Sequence, residues 1–354
     1  MTTPTPQQEF ETEFTSLQAS IHSLQHDVRL NNARDALERL DADIAALSGR
    51  LAALRSQGYA FEKTLEEETG QLRAEWVSTE PGIRAQLETQ SAALVAELRP
   101  LETQLNQLAI HRANPSLARP MLERLKTSTQ TLTSKTEAAH RAIASAYQPT
   151  SSKVSALKWR LEKIEWTMKQ LAEASFPLLA TESAIRAVKA VWCKEVKERP
   201  EDPDGVLYLT DQRLIFEQKE EIATKKVLFI TTAREKVQNL RWQAPVALIE
   251  EVKPSKQGWL KNEDHLEIRF ESGAPFESVH LHIWQDGNEW MQLLNRAKTR
   301  DFDQTRALKI DPAAEDKVKA APSQCPACGA NITQPVLRGM DSLQCEYCGF
   351  TIRL

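Results

Sequence analysis

Apolar side chains recur along the first half of the chain at spacings that alternate between four and three. Phe10, Phe14, Leu17, Ile21, Leu24 and Val28 follow this rule, and the mean period of about 3.5 residues holds one stripe on one side of a slightly underwound helix. After a skip over 30–33 the stripe resumes at Leu37, Leu40, Ile44, Leu47, Leu51 and Leu54. Such a skip is expected to change the supercoil locally. A weaker continuation through Phe61, Leu65, Leu72 and Trp76 runs to Glu80-Pro81-Gly82, where a turn is expected. Leu87, Leu94, Leu98, Leu101, Leu105 and Leu108 form the next seam, with Pro100 expected to kink it. Breaks are expected at Asn114-Pro115, at Pro120 and over 147–152, before Leu157, Leu161, Ile164, Met168 and Leu171 restore the pattern. The prediction is a helical coiled-coil region over 1–180, as an extended rod or as a compact bundle with the same seams. Trp159 and Trp166, seven apart, are expected to pack against a neighbouring helix.

From about residue 184 the period changes. Short β-rich runs at 187–196, 205–210, 213–217, 226–231, 247–252, 265–270 and 279–284 predict seven strands. Turn-forming residues separate them, notably Pro203-Asp204-Gly205, Asp211-Gln212 and Glu271-Ser272-Gly273. A helix is signalled by Asp286-Gly287-Asn288 followed by Trp290, Leu293, Leu294 and Ala297. The expected fold of 181–300 is a small antiparallel β-barrel or sandwich with a C-terminal helix. The run Gly205-Val206-Leu207-Tyr208-Leu209-Thr210-Asp211-Gln212-Arg213-Leu214-Ile215-Phe216 resembles the hairpin of GRAM and bacterial pleckstrin-homology-like (PH-like) domains, and the helix bearing Trp290 fits that resemblance. It implies a docking module for protein or for phosphoinositide lipid, without establishing either.

Charge sharpens the picture of the helical half. Residues 1–100 carry 9 basic and 16 acidic side chains, and residues 101–200 carry 16 basic and 9 acidic. Opposite blocks on consecutive segments suit a chain that folds back on itself. Over all 354 residues the net charge is −4, which gives no global reason to bind nucleic acid or anionic lipid. A local lipid site would need converging cations. The candidates Lys219, Lys225, Lys226, Lys253, Lys256 and Lys261 are interleaved with Glu217, Glu220, Glu221 and Glu263, so a strong acidic-lipid site is disfavoured. The first eight residues lack the basic and apolar regions of a secretory signal, and no apolar run approaches 18 residues; a soluble cytoplasmic protein is expected.

The strongest chemical signal lies in the tail. Beyond a linker, placed at 301–320, Cys325-Pro326-Ala327-Cys328-Gly329 and Cys345-Glu346-Tyr347-Cys348-Gly349 form two C-x2-C pairs 16 residues apart. Each short pair presents two sulfurs, and a hairpin between them brings four around one tetrahedral ion. So short a segment cannot bury enough apolar surface to fold alone, and metal binding is expected to drive its folding. The predicted ligands are Cys325, Cys328, Cys345 and Cys348, and the predicted cofactor is one structural Zn2+. A pair of disulfides or a rubredoxin-type iron are the alternatives, the first disfavoured by a reducing compartment. The knuckles resemble those of zinc ribbons over 321–354. Arg338 and Arg353 are balanced by Asp341 and Glu346, which does not favour nucleic acid.

Other candidates read as structural. His280 and His282 share one strand face, but no carboxylate or cysteine near them in sequence completes a ligand set. Asp202-Pro203-Asp204-Gly205 lacks the later oxygen ligands of a calcium loop and reads as a turn. Cys193 reads as a buried thiol. With no phosphate loop, metalloprotease helix or nucleophile elbow present, no enzyme is expected. The expected function is a non-catalytic scaffold or adaptor with protein partners and a coiled coil able to join copies of the chain. A membrane tether recognising acidic lipid, and nucleic-acid binding by the ribbon, are the alternatives.

Overall fold

The structure, a computed structural model, describes residues 5–353 apart from 196–197, 228–229, 259–261, 314–321, 323, 333–337 and 341; at 115 and over 221–235 only the backbone is described. Of the expected linker at 301–320, residues 314–320 lie outside the described residues, while Asp301–Thr305 form a 3-10 turn with Phe302 buried. Lys261, Asp341 and the side chains of Lys225 and Lys226 also lie outside the described residues. Contacts divide the chain into two compact units, 1–49 with 67–158, and 50–66 with 159–354.

The helices are α1 (Pro6–Asp27), α2 (Asn31–Ser56), α3 (Leu65–His111) and α4 (Pro115–Ala172). Thr5 starts the first one: its hydroxyl accepts from the Gln8 amide while the Gln8 side chain accepts from the Thr5 amide. The expected seam residues Phe10, Phe14, Leu17, Ile21 and Leu24, then Leu37, Leu40, Ile44 and Leu47, are buried. The skip near residue 30 is more than a change of supercoil. Leu30 takes φ of 53° while its side chain stays buried, and this left-handed residue ends one helix and starts the next.

Ion pairs give the directions of the helices in the first unit. Glu11 and Glu88 meet Arg112 and Arg34, pairing α1 and α2 antiparallel to α3. Glu97–Lys135 and Glu75–Lys153, both 2.7 Å, pair α3 antiparallel to α4. Glu13–Lys126 at 3.6 Å and Asp43–Lys158 at 2.7 Å bring the first rod beside the last. All of these except Arg34–Glu88 join an acid from the first hundred residues to a base from the second, so the opposed charge blocks meet as a folded-back chain requires. The seams are buried within a single chain.

Three expected breaks are absent, and the proline expected to kink the helix lies within a continuous one. Pro81 and Pro100 lie inside α3, and Pro120 and Pro149 inside α4. All four are exposed. A proline on the solvent face frees a carbonyl one turn earlier, which water then satisfies, and the buried stripe on the opposite face keeps the helix intact. Among the expected breaks in this region, only the one at Asn114-Pro115 interrupts the helix.

The second unit contains one antiparallel sheet of seven strands: β1 (Ala184–Cys193), β2 (Asp204–Thr210), β3 (Arg213–Val227), β4 (Ile230–Pro245), β5 (Ile249–Gln257), β6 (Glu263–Phe270) and β7 (Ser278–Ile283). Their order is β4-β3-β2-β1-β7-β6-β5. The expected barrel or sandwich is corrected here: β4 and β5 follow each other in sequence yet form the two sheet edges, and among the described residues they do not pair. Pro245 and a 3-10 turn over Val246–Leu248 separate them. The sheet is open and compatible with a PH-like fold. The expected run at 226–231 falls partly outside the described residues; its described members end β3 and begin β4, which pair along a long ladder because the charged stretch from Gln218 to Lys226 continues it without an apolar alternation to announce it.

Helix α5 (Gly287–Lys298) follows as expected. The Asp286 carboxylate accepts from the Glu289 amide at 2.9 Å, and Trp290 and Leu294 are buried. The resemblance motif also has a physical core. Arg213 and Glu182, 3% and 0% exposed, form a two-pronged ion pair of 2.5 and 2.9 Å, and the Thr210 hydroxyl donates to the same carboxylate at 2.6 Å. Among the described residues no helix is long and apolar enough to cross a membrane.

Candidate metal centre

The tail builds the same small turn twice. The Gly329 amide donates to the Cys325 carbonyl at 2.8 Å, and the Gly349 amide to the Cys345 carbonyl at 2.8 Å. Both glycines are left-handed, with φ of 73° and 72°, a conformation that costs glycine nothing. The Cys325 amide donates to Ala330 and the Cys345 amide to Phe350, closing each knuckle. Strands β8 (Ser342–Gln344) and β9 (Thr351–Arg353) pair behind the second knuckle. Ile352 packs with Cys325 and Cys345, and Ala330 and Ile332 flank them.

The four sulfurs converge, all within 4.8 Å of one another. Across the knuckles, Cys325 to Cys348 and Cys328 to Cys345 are each 3.7 Å. A disulfide would bring two sulfurs to about 2.05 Å. Four sulfurs held about 2.3 Å from a central ion lie about 3.8 Å apart. These two edges match those of a metal tetrahedron and are too long for disulfides.

Neighbouring groups shift two of these thiols in opposite directions. Amides of Cys348 and Tyr347 aim at the Cys345 sulfur and bring its thiol down to about 7. Cys348 receives the Phe350 amide, but the crowding sulfurs of Cys328, Cys345 and Cys325 push it up to about 12. Four thiolates of one sign require a positive ion between them.

The ribbon is also fastened to the sheet, a feature absent from the sequence reading. Arg338 reaches Asp211 at 2.5 Å and Asp303 at 2.9 Å. Asp211, 2% exposed, holds Arg306 on the same oxygen at 2.5 Å and accepts from the Ser183 amide at 2.9 Å. Beside it, a Cβ at Gly339 would lie 2.4 Å from the Gln212 carbonyl oxygen, and Gly339 has φ of 96°; only glycine allows that approach. The docking point is the turn of the hairpin that carries the PH-like resemblance. Arg338 is thus engaged by the protein itself.

Other sequence candidates resolve plainly. Lys219, Lys253 and Lys256 pair with Glu173, Glu251 and Asp264 at 2.8, 3.1 and 2.6 Å. The Asp202 carboxylate accepts from the Arg199 and Lys194 amides at 2.8 and 3.2 Å, which is turn chemistry. Burial pushes the Cys193 thiol up to about 12. Trp166 packs on the Phe176–Tyr208 cluster, whereas Trp159 is exposed, with the Lys163 ammonium 3.2 Å over its ring. His280 and His282 do acquire partners from distant sequence, His265 and Glu198.

No family model matches the chain, and no curated protein matches it in sequence. Among solved structures, the chain is similar to the DH/PH domains of PDZ-RhoGEF in complex with GTPγS-activated RhoA, at 14% identity over 84% of this chain and 96% of that one, with a TM-score of 0.26. The DH/PH domains of p115-RhoGEF follow at 13% identity over 83% and 93%, with a TM-score of 0.22. Likeness at that level carries no argument.

Proposed function

We propose that the chain is a non-catalytic adaptor, in which a zinc-built ribbon presents an aromatic knuckle to a protein partner and the sheet holds that ribbon in place. The observation that carries this reading is the closed donor set: Cys325, Cys328, Cys345 and Cys348 supply four sulfurs to one Zn2+ and leave no coordination position for substrate or water. Zinc suits four thiolates without redox chemistry. On the second knuckle, Tyr347 and Phe350 are 73% and 46% exposed, side chains of the kind that anchor protein interfaces. The acidic-lipid reading is weaker, because Lys219, Lys253 and Lys256 are already paired. Nucleic acid is weaker still, with Arg338 bound to Asp211 and Asp303. The helical region serves as the scaffold.

The test uses full-length protein with zinc and a Tyr347→Ser/Phe350→Ser variant as baits in cell extract, beside flotation with phosphatidylserine vesicles at physiological salt. Proteins retained by the first and lost by the second are expected, with no vesicle binding. Identical retained sets, or flotation that tracks Lys253→Glu and Lys256→Glu, would overturn the reading.

A further inference from the structure

A second cluster of metal-ligating side chains lies on the sheet, separate from the ribbon sulfurs. His265 of β6 stands directly opposite His282 of β7, and their rings stack with centroids 4.8 Å apart. Glu198, in the connection between β1 and β2, reaches His282 Nδ1 with its Oε2 at 2.5 Å, across 84 positions of sequence. One ligand atom from each of the three lies within 4.8 Å of the other two.

The ring contacts bear on which nitrogen of His265 is bare. The Gln257 side-chain amide, which can only donate through Nε2, approaches His280 Nε2 at 3.3 Å, so that His280 nitrogen accepts. His265 Nδ1 sits 3.2 Å from the same His280 nitrogen, and in the tautomer that donates to it the His265 proton is on Nδ1. This leaves a lone pair on His265 Nε2. That atom is buried without a hydrogen-bond partner, in a residue 1% exposed, and the nearest charged group paired with it is the Glu263 carboxylate at 3.8 Å. A buried lone pair turned toward carboxylate oxygens is unfavourable unless a cation stands between them.

We propose that Glu198, His265 and His282 form a second metal site, taking one divalent ion of the zinc class through two imidazole nitrogens and a carboxylate oxygen. Two nitrogens and one oxygen suit Zn2+, Co2+ or Ni2+ better than Mg2+ or Ca2+. His280 and Gln257 act as positioning residues: they hold the His265 tautomer from behind, as outer partners of metal-bound histidines do. Stacked rings cannot both aim at one ion, so binding tilts one of them out of the stack. His282 is the more exposed of the two rings, 12% against 2% for the side chains, and its outer face is covered by exposed Trp284, whose ring lies 4.2 Å from it.

The test equilibrates full-length protein with excess Zn2+, removes free metal on a desalting column and measures zinc per chain. Wild type is expected to hold two ions, and His282→Gln and Glu198→Gln one each. Cys345→Ser is expected to keep the histidine-bound ion. Addition of Zn2+ should also shift the imidazole nitrogen resonances of His265 and His282 in wild type, a readout that needs no variant to fold. Unchanged imidazole resonances, or two ions retained in both His282→Gln and Glu198→Gln, would overturn the proposal. A chain with zinc at the histidines and none at the cysteines would uphold this site and sink the adaptor reading of the tail.

Discussion

The sheet and the ribbon both bury charge, and they neutralise it differently. In the sheet, Glu182 and Arg213 are of opposite sign and satisfy each other through two hydrogen bonds in the protein interior. In the ribbon, Cys325, Cys328, Cys345 and Cys348 become charges of one sign when they act as ligands. The sheet therefore needs no outside partner for this pair, while under the proposed function the ribbon's fold would depend on an ion supplied from outside. A region that depends on a metal can be lost without its neighbour, and the Asp211–Arg338 contact is where the two regions become coupled.

The largest expected effect comes from removing the ion. Chelation, or Cys345→Ser, should abolish the ribbon's fold at a cost of roughly 10 kcal/mol of binding free energy, while hydrogen exchange in β1 to β7 stays slow. A ribbon that stays protected without metal would break the contrast. Next, Arg213→Met should destabilise the sheet by about 3–5 kcal/mol, because it strands the Glu182 carboxylate in the interior. The double variant Glu182→Leu/Arg213→Met should recover most of that loss in urea unfolding, whereas simple loss of packing would make the two changes add. A smaller effect is expected at the junction: Gly339→Ala forces a Cβ onto the Gln212 carbonyl and should cost about 1–3 kcal/mol. Faster exchange at 338–340, with both the sulfur cluster and the sheet intact, is the signature. Smallest of all is the effect at Cys193. Its thiol stays protonated up to about pH 12, so alkylation should not accelerate between pH 7 and 9 as a free thiol's does. Mass spectrometry should find the tail cysteines modified after chelation, and Cys193 only after unfolding.

Much of this was legible where the deciding contacts are local. The seam from Phe10 to Leu54 and the two C-x2-C pairs announce themselves because period and spacing are written in a few consecutive residues. Pro81, Pro120 and Pro149 misled, since a proline reports a lost amide but not whether its face is wet. The length of β3 and β4 was hidden because backbone pairing through 218–226 needs no apolar alternation. The Glu182–Arg213 pair, the Asp211–Arg338 contact and the Glu198–His265–His282 cluster join residues 31, 127 and up to 84 positions apart. Only the tertiary fold brings them together, and no local signal precedes it.

Cobalt substitution of the full-length protein tests the central claim most directly. With Co2+ in place of the native ion, the account predicts the intense thiolate-to-metal charge-transfer absorption of a four-sulfur tetrahedral site, present in His282→Gln and destroyed in Cys345→Ser. Absence of that absorption from the wild-type chain, or its survival in Cys345→Ser, would contradict it.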